Sequence, residues 1–238
     1  MAGERRGRLL RETVLTRHAV RASVLSILGT AAFLVWNAPT LPSLLPVHFR
    51  WNGVPDGWQF KTTARVLMPV FVQTALLAIL GAVATLLLSR RDARDAGNAP
   101  DIRAALTASE AVMLMATIWV GFQAYAAVAL VTMWTTARHT LGLTYSGLEI
   151  VGLLLTAIVG VRAHVQLGRP EPLPYIAEHW RFGQLYCNVE HPALFVPTRE
   201  GQRWTLNFGR PAAAVLLGGI LTVGIVLPVA ILALALRS

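Results

Sequence analysis

The chain has 238 residues, of which 55% are hydrophobic and only 14% charged, and its mean hydropathy is +0.54. A soluble domain carries about 25% charged residues to cover its surface, so this composition excludes an ordinary soluble protein. The net charge of +9 comes from basic residues dispersed between apolar runs, without a nucleic-acid-binding motif, and we expect no nucleic-acid partner. Cys187 is the only cysteine, which excludes an intrachain disulfide and a cysteine-based zinc cluster.

Five apolar runs are long enough to cross the hydrocarbon core of a bilayer, which takes about 20 helical residues. In chain order they are Ala22–Leu41, Val66–Leu88, Ala111–Trp134, Leu143–Val165 and Ala212–Leu236. The first is longer than the apolar core of a signal peptide and no cleavage site follows it, so we expect it to stay as a helix. The predicted fold is an all-α integral membrane protein, a bundle of about five transmembrane helices with one structured outer loop and one aromatic-rich cytoplasmic loop.

These runs divide the chain into parts that alternate between the two sides of the membrane. The parts are a basic tail (1–21), a four-helix region (22–165) with an outer loop (42–65), an aromatic-rich segment (166–211) and a fifth helix (212–238). Sixteen of the 21 basic residues fall in the tail and in the second and fourth connections, which the positive-inside rule assigns to the cytoplasm. We therefore predict a multi-pass plasma-membrane protein with its N-terminus inside and its C-terminus outside.

The outer loop combines turn signals with titratable side chains. Asn52-Gly53 and Pro55-Asp56-Gly57 are turn-forming sequences, and Trp58 suits a membrane–water interface. His48, Asp56 and Lys61 lie within this short stretch. Two interpretations stay open: local hydrogen bonding and turn capping, or a small ligand-binding site for a peptide, a lipid head group or a metal.

The loop resembles the SdpI-type integral membrane family, whose N-terminal domain of unknown function carries the pattern P-x-H-F-x3-G-x-P-D-x-W-x2-K. The match falls on Pro46, His48, Phe49, Gly53, Pro55, Asp56, Trp58 and Lys61. The resemblance implies a bacterial or archaeal membrane protein. It also implies a role like that of the namesake, which gives immunity against a self-made peptide toxin and signals to a repressor.

The segment after the fourth helix resembles the aromatic cytoplasmic part of the same family. Its patterns are W-x-F-G-x-x-Y-x-N and G-x-x-W-T-x-N-F. Aromatic side chains at this density favour a compact module against the inner membrane face. Two interpretations stay open: a cap that seals the helix bundle, or a docking surface for a cytoplasmic partner. The residues singled out for docking are Trp180, Tyr186, Asn188, Trp204 and Asn207.

Charged residues in a membrane span are costly and are therefore candidates for function. Glu149 lies about two turns into the fourth helix, and Arg138 and His139 precede that helix. Either Glu149 pairs with Arg138 or it binds a ligand or a proton. No metal-ligand spacing is present, so we predict no metal, no cofactor and no catalytic residue.

The function predicted from these features is immunity to, or sensing of, a membrane-active extracytoplasmic peptide, with a repressor or another protein as cytoplasmic partner. Two alternatives remain: a small transporter or its accessory subunit, and a membrane-embedded metal-dependent enzyme. An enzyme is the weaker prediction because no H-E-x-x-H or similar motif occurs.

Overall fold

The computed structural model describes residues 7–50, 53–91, 99–136, 140–169, 174–201 and 203–221. Within these residues the helices are α1 (Val14–Asn37), α2 (Thr63–Val66), α3 (Met68–Leu88), α4 (Ala99–Thr135), α5 (Gly142–Leu167) and α6 (Pro211–Leu221). The strands are β1 (Gly7–Leu9), β2 (Leu44–Phe49), β3 (Pro55–Phe60), β4 (Ser89–Arg91), β5 (Trp180–Arg181), β6 (Leu185–Tyr186), β7 (Phe195–Pro197) and β8 (Trp204–Leu206). They form the antiparallel pairs β1–β4, β2–β3, β5–β6 and β7–β8.

The chain is mostly helical, but it is not all-α as the sequence predicted, because the segments between the helices contain these short strands. Four helical stretches are long and apolar enough to cross a membrane: Val14–Thr40, Met68–Leu88, Ile102–Thr135 and Gly142–Leu167. The predicted fifth helix begins at Pro211, a residue that suits the first turn of a helix. Most of that helix lies outside the described residues, so the count of five remains a prediction.

Two helices begin earlier than their apolar runs. Helix α1 starts at Val14 instead of Ala22, and α4 starts at Ala99 instead of Ala111. The added turns carry polar residues such as Arg17 and Glu110. Hydropathy detects only the part of a helix that matches the hydrocarbon core, whereas backbone hydrogen bonding continues into the polar turns.

Residues group into two compact units, and each is described by itself. The hairpin unit comprises Val14–Gly81 and Ala111–Arg162. Its buried cluster draws on α1, β2, α2 and α4, so the β2–β3 hairpin packs directly against helix ends. The members of this cluster are Leu34, Leu41, Leu45, Val66, Ala127, Val131, Met133 and Trp134.

Polar contacts join helices inside the hairpin unit. The fully buried Gln73 amide of α3 donates to Thr30 Oγ1 (3.1 Å) and to the Val120 carbonyl (2.9 Å). Ser23 Oγ and Thr117 Oγ1 lie 3.1 Å apart between α1 and α4. Where lipid surrounds a bundle, such hydrogen bonds supplement side-chain packing in holding helices together.

Helix α5 exposes an apolar surface along most of its length. Ile150, Leu154, Ile158, Val161 and Val165 are each more than half exposed. A contiguous apolar surface of this kind is unstable in water and is typical of contact with lipid chains. The apolar helices therefore indicate a membrane protein.

The tail unit comprises Met1–Thr13, Ala82–Glu110 and Ala163–Ser238. In it, β1 pairs with β4 from Gly7 opposite Arg91 to Leu9 opposite Ser89, and the Leu10 amide donates to the Leu88 carbonyl. Residues 174–210, here called the aromatic module, contain the β5–β6 and β7–β8 hairpins immediately before α6. The N-terminal strand and the segment after α3 are thus bound to each other.

Candidate functional site

The β2–β3 hairpin holds the titratable residues that the sequence singled out. Its strands pair from Leu44 opposite Phe60 to Phe49 opposite Pro55, and the register shifts on both sides of His48. Gly53, with φ of 74°, adopts the left-handed conformation that the turn requires. Irregular pairing of this kind re-aims a side chain, and here it turns His48 out of the regular ladder.

His48 faces Gly57, and this pairing leaves no room for another side chain. A Cβ added at Gly57 would lie 2.8 Å from His48 Cβ, closer than real Cβ contacts allow. Gly57 therefore lets β2 and β3 approach each other closely at the position of His48.

His48, Asp56 and Arg50 form a small network at the surface. His48 Nδ1 lies 2.5 Å from Asp56 Oδ1, and Arg50 Nε lies 3.5 Å from Asp56 Oδ2. The His48 side chain is 72% exposed and the Asp56 side chain 28%. Sequence analysis missed Arg50, although its position two residues after His48 in an extended segment was a signal for a shared face.

The environment of Asp56 fixes how the pair is protonated. The hydrogen bond from His48, with the nearby charge of Arg50, lowers the pKa of the Asp56 carboxyl below its ordinary value of 3.8. Near neutral pH the carboxylate is therefore the acceptor, so His48 Nδ1 carries the proton. In the neutral ring, Nε2 is then the acceptor that remains for another molecule.

Lys61 is not part of this network. Its ammonium group donates to the carbonyls of Ala38 (3.2 Å) and Leu41 (2.8 Å), the residues that begin and cap the short helical turn after α1. A cation at the C-terminal end of a helix is favourable because the last carbonyls lack partners within the helix. Of the three residues predicted to bind a ligand, the structure therefore brings together His48 and Asp56, whereas Lys61 caps the helical turn.

One face of the hairpin is held by the bundle and the other carries aromatic side chains. Leu45 is fully buried, and the Trp134 indole of α4 donates to the Pro46 carbonyl at 3.1 Å. Trp58 and Phe60 are 54% and 75% exposed. The polar network thus sits on a rigid support beside side chains that suit a membrane interface.

The intramembrane pair lies partly outside the described residues. Arg138 and His139 are not described, so the structure does not test a pair between Arg138 and Glu149. Glu149 is an exposed residue of α5, one turn after Tyr145, whose ring lies 5.3 Å from that of Phe122. The role of Glu149 stays a prediction.

The predicted docking residues of the aromatic module are largely interior. Asn207 is fully buried, and its amide donates to the carbonyls of Asn188 (2.8 Å), Ala193 (3.2 Å) and His191 (3.4 Å). Its carbonyl oxygen accepts from the backbone amides of Asn188 and Gly209, both at 3.0 Å. One side chain therefore ties together the loop between the two hairpins and the start of α6.

The aromatic members of the motif pack around Tyr186, which is 4% exposed. The Trp180 ring meets it edge-on with centroids 5.2 Å apart across the β5–β6 pair, and His179 and His191 approach it in the same way. The indole nitrogen of Trp204 is buried and has no hydrogen-bond partner in the part of the chain that the structure describes. These contacts place the Tyr186 ring in the interior of the module, with Trp180 packed against it.

Among the described residues, no group of three or more His, Cys, Asp or Glu side chains is placed to hold a metal ion. A family model named as a domain of unknown function (DUF1648) matches residues 25–72, which include most of α1, the β2–β3 hairpin and the start of α3. The chain matches no curated protein and no solved structure.

Proposed function

We propose that the chain is a multi-pass plasma-membrane protein of the SdpI type that senses, or gives immunity against, a membrane-active peptide arriving from outside the cell. The observation that carries the proposal is the exposed network of His48, Asp56 and Arg50. An exposed ion pair adds little to stability, so its ordered geometry is better suited to recognition than to holding the fold.

The topology proposed is an N-terminus inside and the β2–β3 hairpin outside. The uneven distribution of basic residues supports it. The β1–β4 pair also supports it, because it binds the segment before α1 to the segment after α3. In the hairpin unit, the Leu141 amide before α5 donates to the Gly53 carbonyl, as expected if the first and third connections share the other side.

The network offers a peptide three kinds of contact. His48 Nε2 forms a hydrogen bond, Arg50 attracts a carboxylate, and the exposed rings of Trp58 and Phe60 take apolar side chains at the interface. A membrane-active peptide carries both polar and apolar groups and concentrates at that depth. The aromatic module would then pass the signal to a cytoplasmic partner or seal the bundle.

The test is expression in sensitive cells that are challenged with membrane-active peptides. We expect the wild-type chain to protect the cells, and His48→Gln and Asp56→Asn each to abolish protection. Either substitution replaces the imidazole or the carboxylate by an amide and so removes the pair formed by His48 and Asp56. Survival is normalised to the folded protein in the membrane. Reporter fusions after Gly57 and Gly201 check that these positions read outside and inside.

The matched controls are His164→Gln and Glu178→Gln, which make the same chemical changes at exposed positions outside the hairpin. Both controls should protect like wild type. Full protection in the two hairpin variants, or no protection by the wild-type chain against any peptide, would refute the proposal.

A further inference from the structure

A cleft opens between the two hairpins of the aromatic module. It has a volume of about 790 Å³, within the range of small-molecule sites. Trp180, Gly183 and Gln184 line it from the β5–β6 hairpin. Arg199, Glu200 and Arg203 line it from the β7–β8 hairpin, so the lining carries two basic residues against one acidic residue and the cleft favours an anion.

Two hydrogen bonds join Thr198 to Arg203 beside the cleft. The Thr198 amide donates to the Arg203 carbonyl at 2.7 Å, and the Arg203 amide donates to Thr198 Oγ1 at 3.2 Å. Gly201, with φ of 66°, makes the reversal between them. The Arg199 guanidinium lies 4.4 Å above the Tyr175 ring. The Arg199 guanidinium, held against this ring, loses little freedom on binding a phosphate, and the planar donors of both arginines match a phosphate.

Phe182, at the tip of the other hairpin, has two unusual properties. Its side chain is 94% exposed, and its backbone φ is 51°. Phe182 and Gly183 both have positive φ, as in a type I′ turn, and the Gln184 amide closes the turn on the Arg181 carbonyl at 3.2 Å. Asn, Asp or Gly adopts this position far more readily than an aromatic residue. Among the described residues, neither packing nor turn chemistry explains a phenylalanine at this position.

The chain keeps this module next to an apolar helix. The Arg210 guanidinium donates to the Pro192 carbonyl at 2.5 Å, and α6 begins at the next residue. A Cβ at Gly209 would lie 2.5 Å from the Asn188 carbonyl carbon, so the segment before α6 is packed tightly onto the module. The β8 strand therefore lies within a few residues of a helix with the composition of a membrane span.

We propose that the two hairpins form a binding site for the head group of an anionic phospholipid. Arg199 and Arg203 bind the head-group phosphate in the cleft, and Phe182 enters the interfacial layer beside it. A free phosphate would use the arginines but would leave Phe182 in water, whereas a bilayer lipid accounts for both features.

Two measurements on the full chain test this site. A nitroxide label at residue 182 (Phe182→Cys with Cys187→Ser) in phosphatidylglycerol-containing nanodiscs should collide with oxygen and be shielded from a water-soluble nickel chelate. Native mass spectrometry in detergent should show the chain binding phosphatidylglycerol more tightly than phosphatidylcholine. The double variant Arg199→Gln/Arg203→Gln should weaken phosphatidylglycerol binding by about tenfold.

The control Arg169→Gln/Arg181→Gln removes two exposed charges from the same region without touching the cleft, and should weaken binding less than twofold. Equal losses in the two double variants would show diffuse attraction instead of a site. Asparagine suits this turn, so Phe182→Asn should keep the fold. A several-fold loss of lipid binding in this variant would therefore be due to the loss of the phenyl ring.

Three outcomes would overturn the proposal. They are a label at 182 that the nickel chelate reaches, a label that neither reagent reaches because protein covers it, and unchanged lipid binding in Phe182→Asn. Inorganic phosphate serves as the competitor. If it displaces the lipid completely while the label stays in water, the cleft binds free phosphate instead.

Discussion

The β2–β3 hairpin and the aromatic module both contain polar residues that a sequence motif singles out, but they place them in opposite ways. His48 and Asp56 lie at the surface and bond to each other, while Leu45 behind them is buried. Asn207 is buried and bonds to the backbone of three loop segments. A motif residue bonded to backbone maintains the architecture, whereas exposed side chains bonded to one another present a chemical surface.

The largest loss of stability is expected in the aromatic module, where Asn207 is buried. Asn207→Ala leaves the amides of Asn188 and Gly209 and the carbonyl of Ala193 without their partner. We expect the free energy of unfolding to fall by about 3 kcal/mol, measured by thermal unfolding in detergent. Asn37→Ala, which removes one hydrogen bond to the Phe33 carbonyl, is the control and should cost about 1 kcal/mol. Equal losses would mean that Asn207 is not a structural centre.

An intermediate effect is expected where the β2–β3 hairpin is tightest. Gly57→Ala forces a Cβ against His48 Cβ, so the strands must separate and the free energy of unfolding should fall by about 2 kcal/mol. Gly147→Ala has open space around the new Cβ and should be neutral or slightly stabilising in its helix. Thermal unfolding of both variants measures the difference. A Gly57→Ala protein as stable as wild type would contradict the close pairing.

The smallest effect should come from the exposed network itself. Because the folded-state pKa of Asp56 is lowered, its contribution to stability is present above its ordinary pKa of 3.8 and is lost as the pH falls through the lower folded value. The unfolding temperature of wild type should therefore exceed that of Asp56→Asn at pH 6, and the difference should shrink as the pH falls below 3.8. A gap for Asp56→Asn that widens in acid would reverse the assigned sign.

The sequence predicted the helical parts of the fold best. Helices α3 and α5 begin and end within about two residues of their apolar runs, because hydrocarbon thickness fixes both quantities. The early start of α4 at Ala99 could not be predicted in this way, since its polar turns leave no hydropathy signal. The turn sequences around Gly53 and Gly57 did predict an ordered loop, and the structure places a hairpin there.

The candidate site was predictable only in part, because contacts across the chain decide it. His48 and Asp56 meet since they are near each other across one turn. Lys61 is also close to Asp56 in sequence, yet its ammonium group donates to the carbonyls of Ala38 and Leu41, which precede β2 in the chain. The bonds of Asn207 span up to 19 residues, and no local pattern reveals which backbone groups will lack partners.

The pairing of β1 with β4 sets an order of events during synthesis. Gly7 cannot find its partner Arg91 until residue 91 has left the ribosome, and by then both α1 and α3 have been synthesised. The β2–β3 hairpin has no such delay, because Leu44 and Phe60 are its outermost partners. Helix α1 is therefore complete while its N-terminal strand is still unpaired. Damage to β4 would consequently release the N-terminal strand at a stage when both helices have already been made.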